Sequence, residues 1–221
     1  MSFFGKSRLF LSVFATVILL SGCLNQKTPV EKMYDVLEKV VSAEKGFEEQ
    51  QEPLVSLEKK EKEIYDQMIG LEMKQFDQLV KLSDEAILMA NQRKNHMEKE
   101  TSSLKKSEQE FKQVSGIINT IDDPALKKMT NELYTTMIKR YRAHDVLFKD
   151  YSEALKYDNE LYLMFKNKNI PIQDLETQVN KLNKAYQKVY EANENFNNLT
   201  KQYNEKKLEF YKKAGLKVNI Q

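Results

Sequence analysis

Residues 175–210 decide the fold: LETQVNKLNKAYQKVYEANENFNNLTKQYNEKKLEF. Every seventh residue of this stretch is apolar or aromatic, and mostly charged or amide side chains lie between. The members of the repeat are Leu175, Leu182, Val189, Phe196, Tyr203 and Phe210. A seven-residue apolar repeat with polar flanks predicts a long helix that packs against other helices with a left-handed twist.

Three further heptad stripes precede this one, and each has one polar or weak member. Those members are Glu61, Ser83 and Arg140. The other members are Met33, Val40, Phe47, Leu54 and Met68 in the first stripe; Phe76, Ala90, Met97, Leu104, Phe111 and Ile118 in the second; and Leu126, Leu133, Leu147, Ala154 and Leu161 in the third. The chain therefore contains four segments with the same helical pattern.

Local sequence predicts where these helices begin and end. Asp123 before Pro124 offers a carboxylate cap followed by proline at the first helical position. Asn167–Pro171 is typical of a turn, and Gly215 is typical of a helix C-terminus. The first break is less marked: it falls near Gly70, with Pro53 as the rival position, because proline inside a helix removes a hydrogen bond.

We therefore predict an all-α fold, an elongated up-and-down antiparallel bundle of four helices. The helices are expected at about 29–69, 72–119, 123–167 and 172–214. Short connections between helices of similar length make antiparallel neighbours. The alternative is a three-helix bundle in which the first two segments form one long helix.

The N-terminus is typical of a bacterial lipoprotein signal. Lys6 and Arg8 precede an apolar run that ends in the lipobox Leu20-Ser21-Gly22-Cys23. The run is shorter than the roughly 20 apolar residues of a spanning helix. The pattern predicts a signal peptide over 1–22, cleavage between Gly22 and Cys23, and a diacylglyceryl group on the Cys23 thiol. A plain signal peptide or an uncleaved anchor is the alternative.

The remaining boundaries follow from this cleavage. We predict a lipidated tether over 23–28, a single helical-bundle domain over 29–215 and a C-terminal tail over 216–221. Two acyl chains of the palmitate type give stable attachment, which one chain does not. The bundle is then expected on the outer face of the cytoplasmic membrane, since the tether is short.

Charge balance and cysteine content argue against several classes of function. The chain has 35 basic and 33 acidic residues, and Lys6 and Arg8 belong to the predicted signal peptide, so the mature chain is near neutral. A nucleic-acid-binding protein would show a concentrated basic surface. Cys23 is the one cysteine, so disulfides and thiolate metal sites are not expected.

Catalytic and metal-binding motifs are not evident. The two histidines are His96 and His144, and the residues three positions before them are Arg93 and Tyr141. The Glu-x-x-His motif of di-iron bundles is therefore missing. We expect no metal, no cofactor apart from the covalent lipid on Cys23, and no enzymatic activity.

Three sets of residues are candidates for contacts. Lys139, Arg140, Tyr141 and Arg142 combine basic and aromatic side chains and could bind peptidoglycan glycans or teichoic polymers. The alternative is that they pack within the bundle, the usual role of a tyrosine at helical spacing. Glu61 and Arg140 could pair within the bundle, or reach solvent by extending along it. Ile69, Leu71, Ile170 and Ile172 would lie at the membrane-distal end, where they could contact a ligand or plug the core.

The lipobox, followed by about 200 cysteine-free, Lys- and Glu-rich helical residues, resembles the YkyA family of cell-wall-binding lipoproteins of Bacillus-like Gram-positive bacteria. The resemblance implies a helical bundle, attachment to the outer face of the cytoplasmic membrane and a role at the wall. Only Cys23 carries over as a functional residue. The alternative function is an interaction or assembly protein, a chaperone or spacer that contacts a helical envelope protein. A long exposed apolar stripe would favour that alternative.

Overall fold

The computed structural model describes residues 27–216, and its regular elements are all helical. They are α1 (Pro29–Ile69), a short 3-10 turn (Met73–Gln75), α2 (Phe76–Phe111), α3 (Val114–Ile118), α4 (Pro124–Phe165) and α5 (Ile172–Lys213). Four long helices confirm the predicted all-α bundle. The second predicted segment is divided, because a turn precedes α2 and the short α3 follows it.

Side-chain caps fix where two of the long helices begin. Thr28 and Glu31 form a reciprocal capping box at α1, in which each side chain accepts the other residue's backbone N–H. The Asp123 carboxylate accepts the N–H groups of Ala125 and Leu126 at the start of α4. These bonds lower the pKa of Asp123. The predicted cap is confirmed.

The C-terminus of α5 is a Schellman motif. Gly215 adopts a left-handed φ of 72°, which glycine tolerates without a Cβ clash. The Leu216 N–H donates to the Tyr211 carbonyl, and the Gly215 N–H donates to the Lys212 carbonyl. The helix ends where the sequence predicted.

The first break lies at Gly70. Helix α1 ends at Ile69, and the Gly70 N–H donates to the Gln67 carbonyl in the last turn. Helix α1 runs through Pro53 without interruption. The three-helix alternative and a break at Pro53 are therefore both wrong.

Contacts at the two ends establish the up-down-up-down order. At one end, the ring of Tyr34 near the start of α1 lies 6.0 Å from the ring of Tyr211 near the end of α5. At the other end, the ring of Tyr65 near the end of α1 lies 6.5 Å from that of Phe165 at the end of α4. Lys168 Nζ lies 5.7 Å from the ring of Phe76, which begins α2. The turns near Gly70 and Asn169 therefore share one end, which we call the distal end, and the described termini share the other.

All four predicted stripes face the interior. Their central members are buried, and the members nearest the helix ends, Phe76, Leu126, Leu175 and Leu182, are half-buried. The polar or weak members Glu61, Ser83 and Arg140 are buried too. Within residues 27–216 no large apolar stripe remains outside; the exposed large hydrophobic residues are scattered, and they are Val55, Ile69, Leu88, Val146, Leu163, Ile172 and Tyr190.

Among the described residues, no helix is long and apolar enough to cross a membrane. The signal peptide, the lipobox, Cys23 and most of the predicted tail lie outside the described residues. The boundaries assigned to those segments stay predictions, as does the single-domain assignment.

Candidate functional site

The basic and aromatic cluster at 139–142 does not form one surface. Lys139 and Arg142 are exposed on α4, but Arg140 and Tyr141 are buried, with 2% and 4% of their surface exposed. The prediction that Arg140 and Tyr141 contribute to a ligand-binding surface is wrong, because both lie on the inner face of α4. The alternative prediction, that these residues pack within the bundle, is the one the structure bears out. A polymer at this surface could contact only the two outer side chains.

Arg140 is instead a buried ion-pair partner of Glu44. Its Nη1 and Nη2 lie 2.8 and 3.0 Å from the two carboxylate oxygens of Glu44, and its Nε donates to Thr200 Oγ1 at 2.9 Å. The phenol of Tyr141 shares a hydrogen bond with Ser107, which also donates to Glu44. A guanidinium with this bidentate geometry positions α1, α4 and α5 relative to one another.

Glu61, the other polar member of a stripe, pairs with Arg93 rather than with Arg140. Arg93 Nη1 lies 2.6 Å from Glu61 Oε2. The surrounding residues form what we call the Arg93 cluster: Glu58 and Glu61 from α1, Arg93 from α2, Tyr151, Asp158 and Tyr162 from α4, and Tyr186 from α5. The idea that Glu61 or Arg140 extends to solvent is wrong, and so is the idea that they pair with each other.

Negative charge exceeds positive charge in the Arg93 cluster. Three carboxylates surround one guanidinium: Asp158 lies 3.6 Å from Arg93 Nη1, and Glu58 lies 3.7 Å from Nη2. Burial, reinforced by the nearby Glu61 carboxylate and opposed by Arg93, raises the pKa of Asp158 to about 7. Burial likewise raises the pKa of Glu58. The cluster can therefore hold a proton near neutral pH.

The two histidines lie in different environments. His144 is buried, with Nε2 3.0 Å from Glu100 Oε1 and its ring against Phe47 and Phe196. His96 is half-buried, and its Nδ1 lies 2.7 Å from Gln50 Oε1. No group of three His, Cys, Asp or Glu side chains in residues 27–216 is placed to hold a metal ion.

A concave surface lies between the middle of α1 and the middle of α2. This α1–α2 groove, of about 430 Å³, is lined by Pro53, Ser56 and Leu57 from α1 and by Gln92, Asn95, His96 and Lys99 from α2. The sequence shows His96 only as an isolated histidine and does not predict the groove. The sequence feature that points to the groove is a run of amide and basic residues on the outer face of α2.

The distal end exposes part of its apolar surface. Ile69 and Ile172 are 63% and 60% exposed, so these two residues do not plug the core. Leu71 does pack against the small distal cluster that contains Met68. Ile170, the proposed contact residue, is half-buried, and its role stays a prediction.

Comparison with known proteins decides the family. A family model described as "Putative cell-wall binding lipoprotein", the YkyA family, matches residues 28–213. The chain belongs to the YkyA family. This confirms the resemblance drawn from the lipobox and the helical ectodomain. A relative within the YkyA family, "Uncharacterized lipoprotein YkyA" of Bacillus subtilis (strain 168), is 33% identical over 204 residues, which cover 92% of this chain and 91% of the relative.

A solved structure has the same fold at a lower sequence identity. It is a crystal structure of a conserved protein of unknown function from Staphylococcus aureus, with a TM-score of 0.67 and 18% identity. The match covers 85% of this chain and 97% of that protein. The long antiparallel bundle is thus a fold that this YkyA family member shares with a solved protein.

Proposed function

We propose that this chain is a non-enzymatic lipoprotein, tethered to the outer face of the cytoplasmic membrane through Cys23, that binds cell-wall polymers. The observation that carries the proposal is the burial of all four apolar stripes within one chain. A chaperone or spacer acting through coiled-coil contacts would leave a stripe exposed for its partner. A polymer-binding protein needs only its polar surface, and the family description names cell-wall binding.

The geometry of the helix ends fits a tether. Five residues, 24–28, separate Cys23 from the start of α1 and reach at most about 18 Å when extended. Helix α4 has 42 residues, a length of about 63 Å at 1.5 Å per residue. A lipid on Cys23 would therefore hold the end with the described termini near the bilayer and direct the distal end into the wall.

The polar interior supports a non-enzymatic role. The buried ionisable groups of α1, α2 and α4 bond to one another: Glu44 with Arg140, Glu61 with Arg93, and Glu100 with His144. These side chains lie between helices and satisfy one another, and of the six only Glu44 is partly exposed. Such networks fix the register of packed helices, a role known for polar residues in coiled-coil seams.

A second candidate is binding of an envelope protein at the distal end. Ile69 and Ile172, both more than half exposed, are the observation that favours it. Crosslinking from Ile172 in cells tests it: a specific adduct with one envelope protein supports this candidate, and adducts with solvent alone exclude it.

Retention on isolated cell-wall sacculi tests the main proposal. Full-length protein purified from membranes in mild detergent is mixed with sacculi, with and without their teichoic polymers. We expect retention on both preparations, and weak salt dependence if uncharged groups dominate, because salt screens exposed charges. Retention on neither preparation would contradict the proposal.

A further inference from the structure

The α1–α2 groove has hydrogen-bonding groups that the protein itself does not use. Within the part of the chain that the structure describes, Ser56, Gln92, Asn95 and Lys99 make no side-chain hydrogen bond or ion pair, whereas other amides such as Gln51 and Gln178 bond to neighbouring helices. Four side chains with free donors or acceptors therefore border one concave surface. Sites for small ligands combine such convergent polar groups with an apolar lining.

His96 adds an acceptor to the same groove. Gln50 Oε1 can only accept, so the His96 Nδ1 carries the proton and donates across 2.7 Å. Burial, followed by the positive charge of Lys99, lowers the pKa of His96, which favours the neutral ring. Nε2 of that neutral ring is then an acceptor, beside the donors of Asn95 and Lys99.

The floor of the groove is small and apolar. Pro53 and Leu57 line it, and Leu57 is buried beneath the polar rim. Sugars and acetamido groups have apolar faces and methyl groups of matching size, alongside hydroxyl and amide groups that match the rim.

We propose that the α1–α2 groove binds a neutral amidosugar glycan, the carbohydrate backbone of the wall rather than its anionic polymers. An anionic polymer would require several cationic side chains, and Lys99 is the one Lys or Arg side chain that lines the groove. A helical protein partner would require an apolar stripe longer than Pro53 and Leu57 provide. The inference rests on the proposed wall-binding function and assigns its site.

A triple variant with a matched control tests the site. The groove variant is Gln92→Ala, Asn95→Ala and Lys99→Ala; the control is Gln187→Ala, Asn183→Ala and Lys184→Ala, the same three residue types exposed on α5. Both variants place alanine on a helix surface, so both are expected to fold. We expect retention on sacculi to fall about ten-fold or more in the groove variant, equivalent to losing one or two net hydrogen bonds, and to stay unchanged in the control.

A defined probe separates this inference from the proposed function. Full-length protein is titrated with a peptide-free tetramer of β-1,4-linked N-acetylglucosamine while the His96 imidazole and the Gln92 and Asn95 amides are followed by NMR. We expect all three resonances to shift in wild type. In the groove variant, which keeps His96 but lacks both amide side chains, we expect the His96 imidazole resonance not to shift. If wild type binds sacculi but the tetramer shifts none of them, or the groove variant binds as wild type does, the groove assignment is overturned and the function stands. If a stem peptide shifts these resonances and the tetramer does not, the glycan class is overturned. If wild type itself is not retained on sacculi, the proposed function is overturned.

Discussion

Arg93 Nη1 lies 2.6 Å from Glu61 Oε2 in the bundle interior, where each side chain is at most 5% exposed. The same guanidinium also faces Asp158 and Glu58, and it accounts for the one full positive charge in the Arg93 cluster. The phenols of Tyr151, Tyr162 and Tyr186 complete the cluster by hydrogen bonding to these charged groups. This excess of carboxylates makes stability depend on pH.

Stability is expected to fall as pH rises toward neutrality. Asp158 has an ordinary pKa of 3.8 and a folded pKa of about 7, so between these values the folded state binds more protons than the unfolded state. The contribution of Asp158 to stability is therefore greatest below the lower value and declines by up to about 1.4 kcal/mol per pH unit until Asp158 is ionised. The raised pKa of Glu58 contributes a slope of the same sign.

Asp158→Asn should flatten this slope, because an amide has no proton to lose and can still accept from Tyr186. At slightly alkaline pH the variant should be at least as stable as wild type. The measurement is the urea midpoint at a series of pH values, with Asp145→Asn on the exposed face of α4 as the control. A wild-type slope in Asp158→Asn would contradict the account.

Arg140→Met should be strongly destabilising. It leaves the Glu44 carboxylate without its bidentate partner and the Thr200 hydroxyl without its donor. Loss of one partner of a buried pair costs about 3–5 kcal/mol. Here the loss of stability should be near the lower figure, because the Glu44 side chain is 16% exposed. Urea unfolding of purified variants gives this free energy.

The double variant Arg140→Met, Glu44→Met should recover most of the loss, since replacing a whole buried pair by apolar residues is often neutral. The neighbouring exposed Arg142→Met is the control and should change stability by no more than about 0.5 kcal/mol. Equal losses in the single and double variants would show that the ion pair is not the cause.

Gly46 should not tolerate alanine, although alanine favours helices. A Cβ at Gly46 would lie 3.3 Å from Ser103 Oγ, and that hydroxyl is fixed because it donates to the Ala43 carbonyl and accepts from the Phe47 N–H. At Gly116, in contrast, a Cβ meets nothing within 4 Å. We expect Gly116→Ala to stabilise by up to about 1 kcal/mol and Gly46→Ala to gain nothing or to destabilise.

Thermal unfolding of these two glycine variants provides the comparison. Adding Ser103→Ala to Gly46→Ala should restore part of any loss, because it removes the oxygen that the new methyl group approaches. A Gly46→Ala variant as stabilised as Gly116→Ala would show that α1 and α2 are not in close contact there.

Local features of the fold were predictable from sequence because their causes are local. The cap at Asp123, the Schellman motif at Gly215 and the four apolar stripes depend on residues within a few positions of one another. The burial of Arg140 and Tyr141 was not predictable, because it depends on Glu44 and Ser107, which are distant in sequence.

A second heptad pattern, made of polar residues, lies beside the apolar stripes of α1 and α2. Glu44, Gln51 and Glu58 repeat every seven residues on α1, and Ser107, Glu100 and Arg93 repeat in reverse on α2. In the structure each faces its counterpart: Glu44 bonds to Ser107, Gln51 to Glu100, and Glu58 lies 3.7 Å from Arg93. Polar residues at this spacing beside an apolar stripe could have identified the interior network, but not which helices it joins.

The most direct test of the central claim, a lipid-tethered bundle at the wall, is mass spectrometry of the mature N-terminus from native membranes. Trypsin should release the peptide Cys23-Leu24-Asn25-Gln26-Lys27 with a diacylglyceryl group on its first residue. We predict this mass in wild type, and release of the protein from the membrane fraction in Cys23→Ala. A mature chain that begins at another residue, or an unmodified Cys23 thiol, would contradict the account.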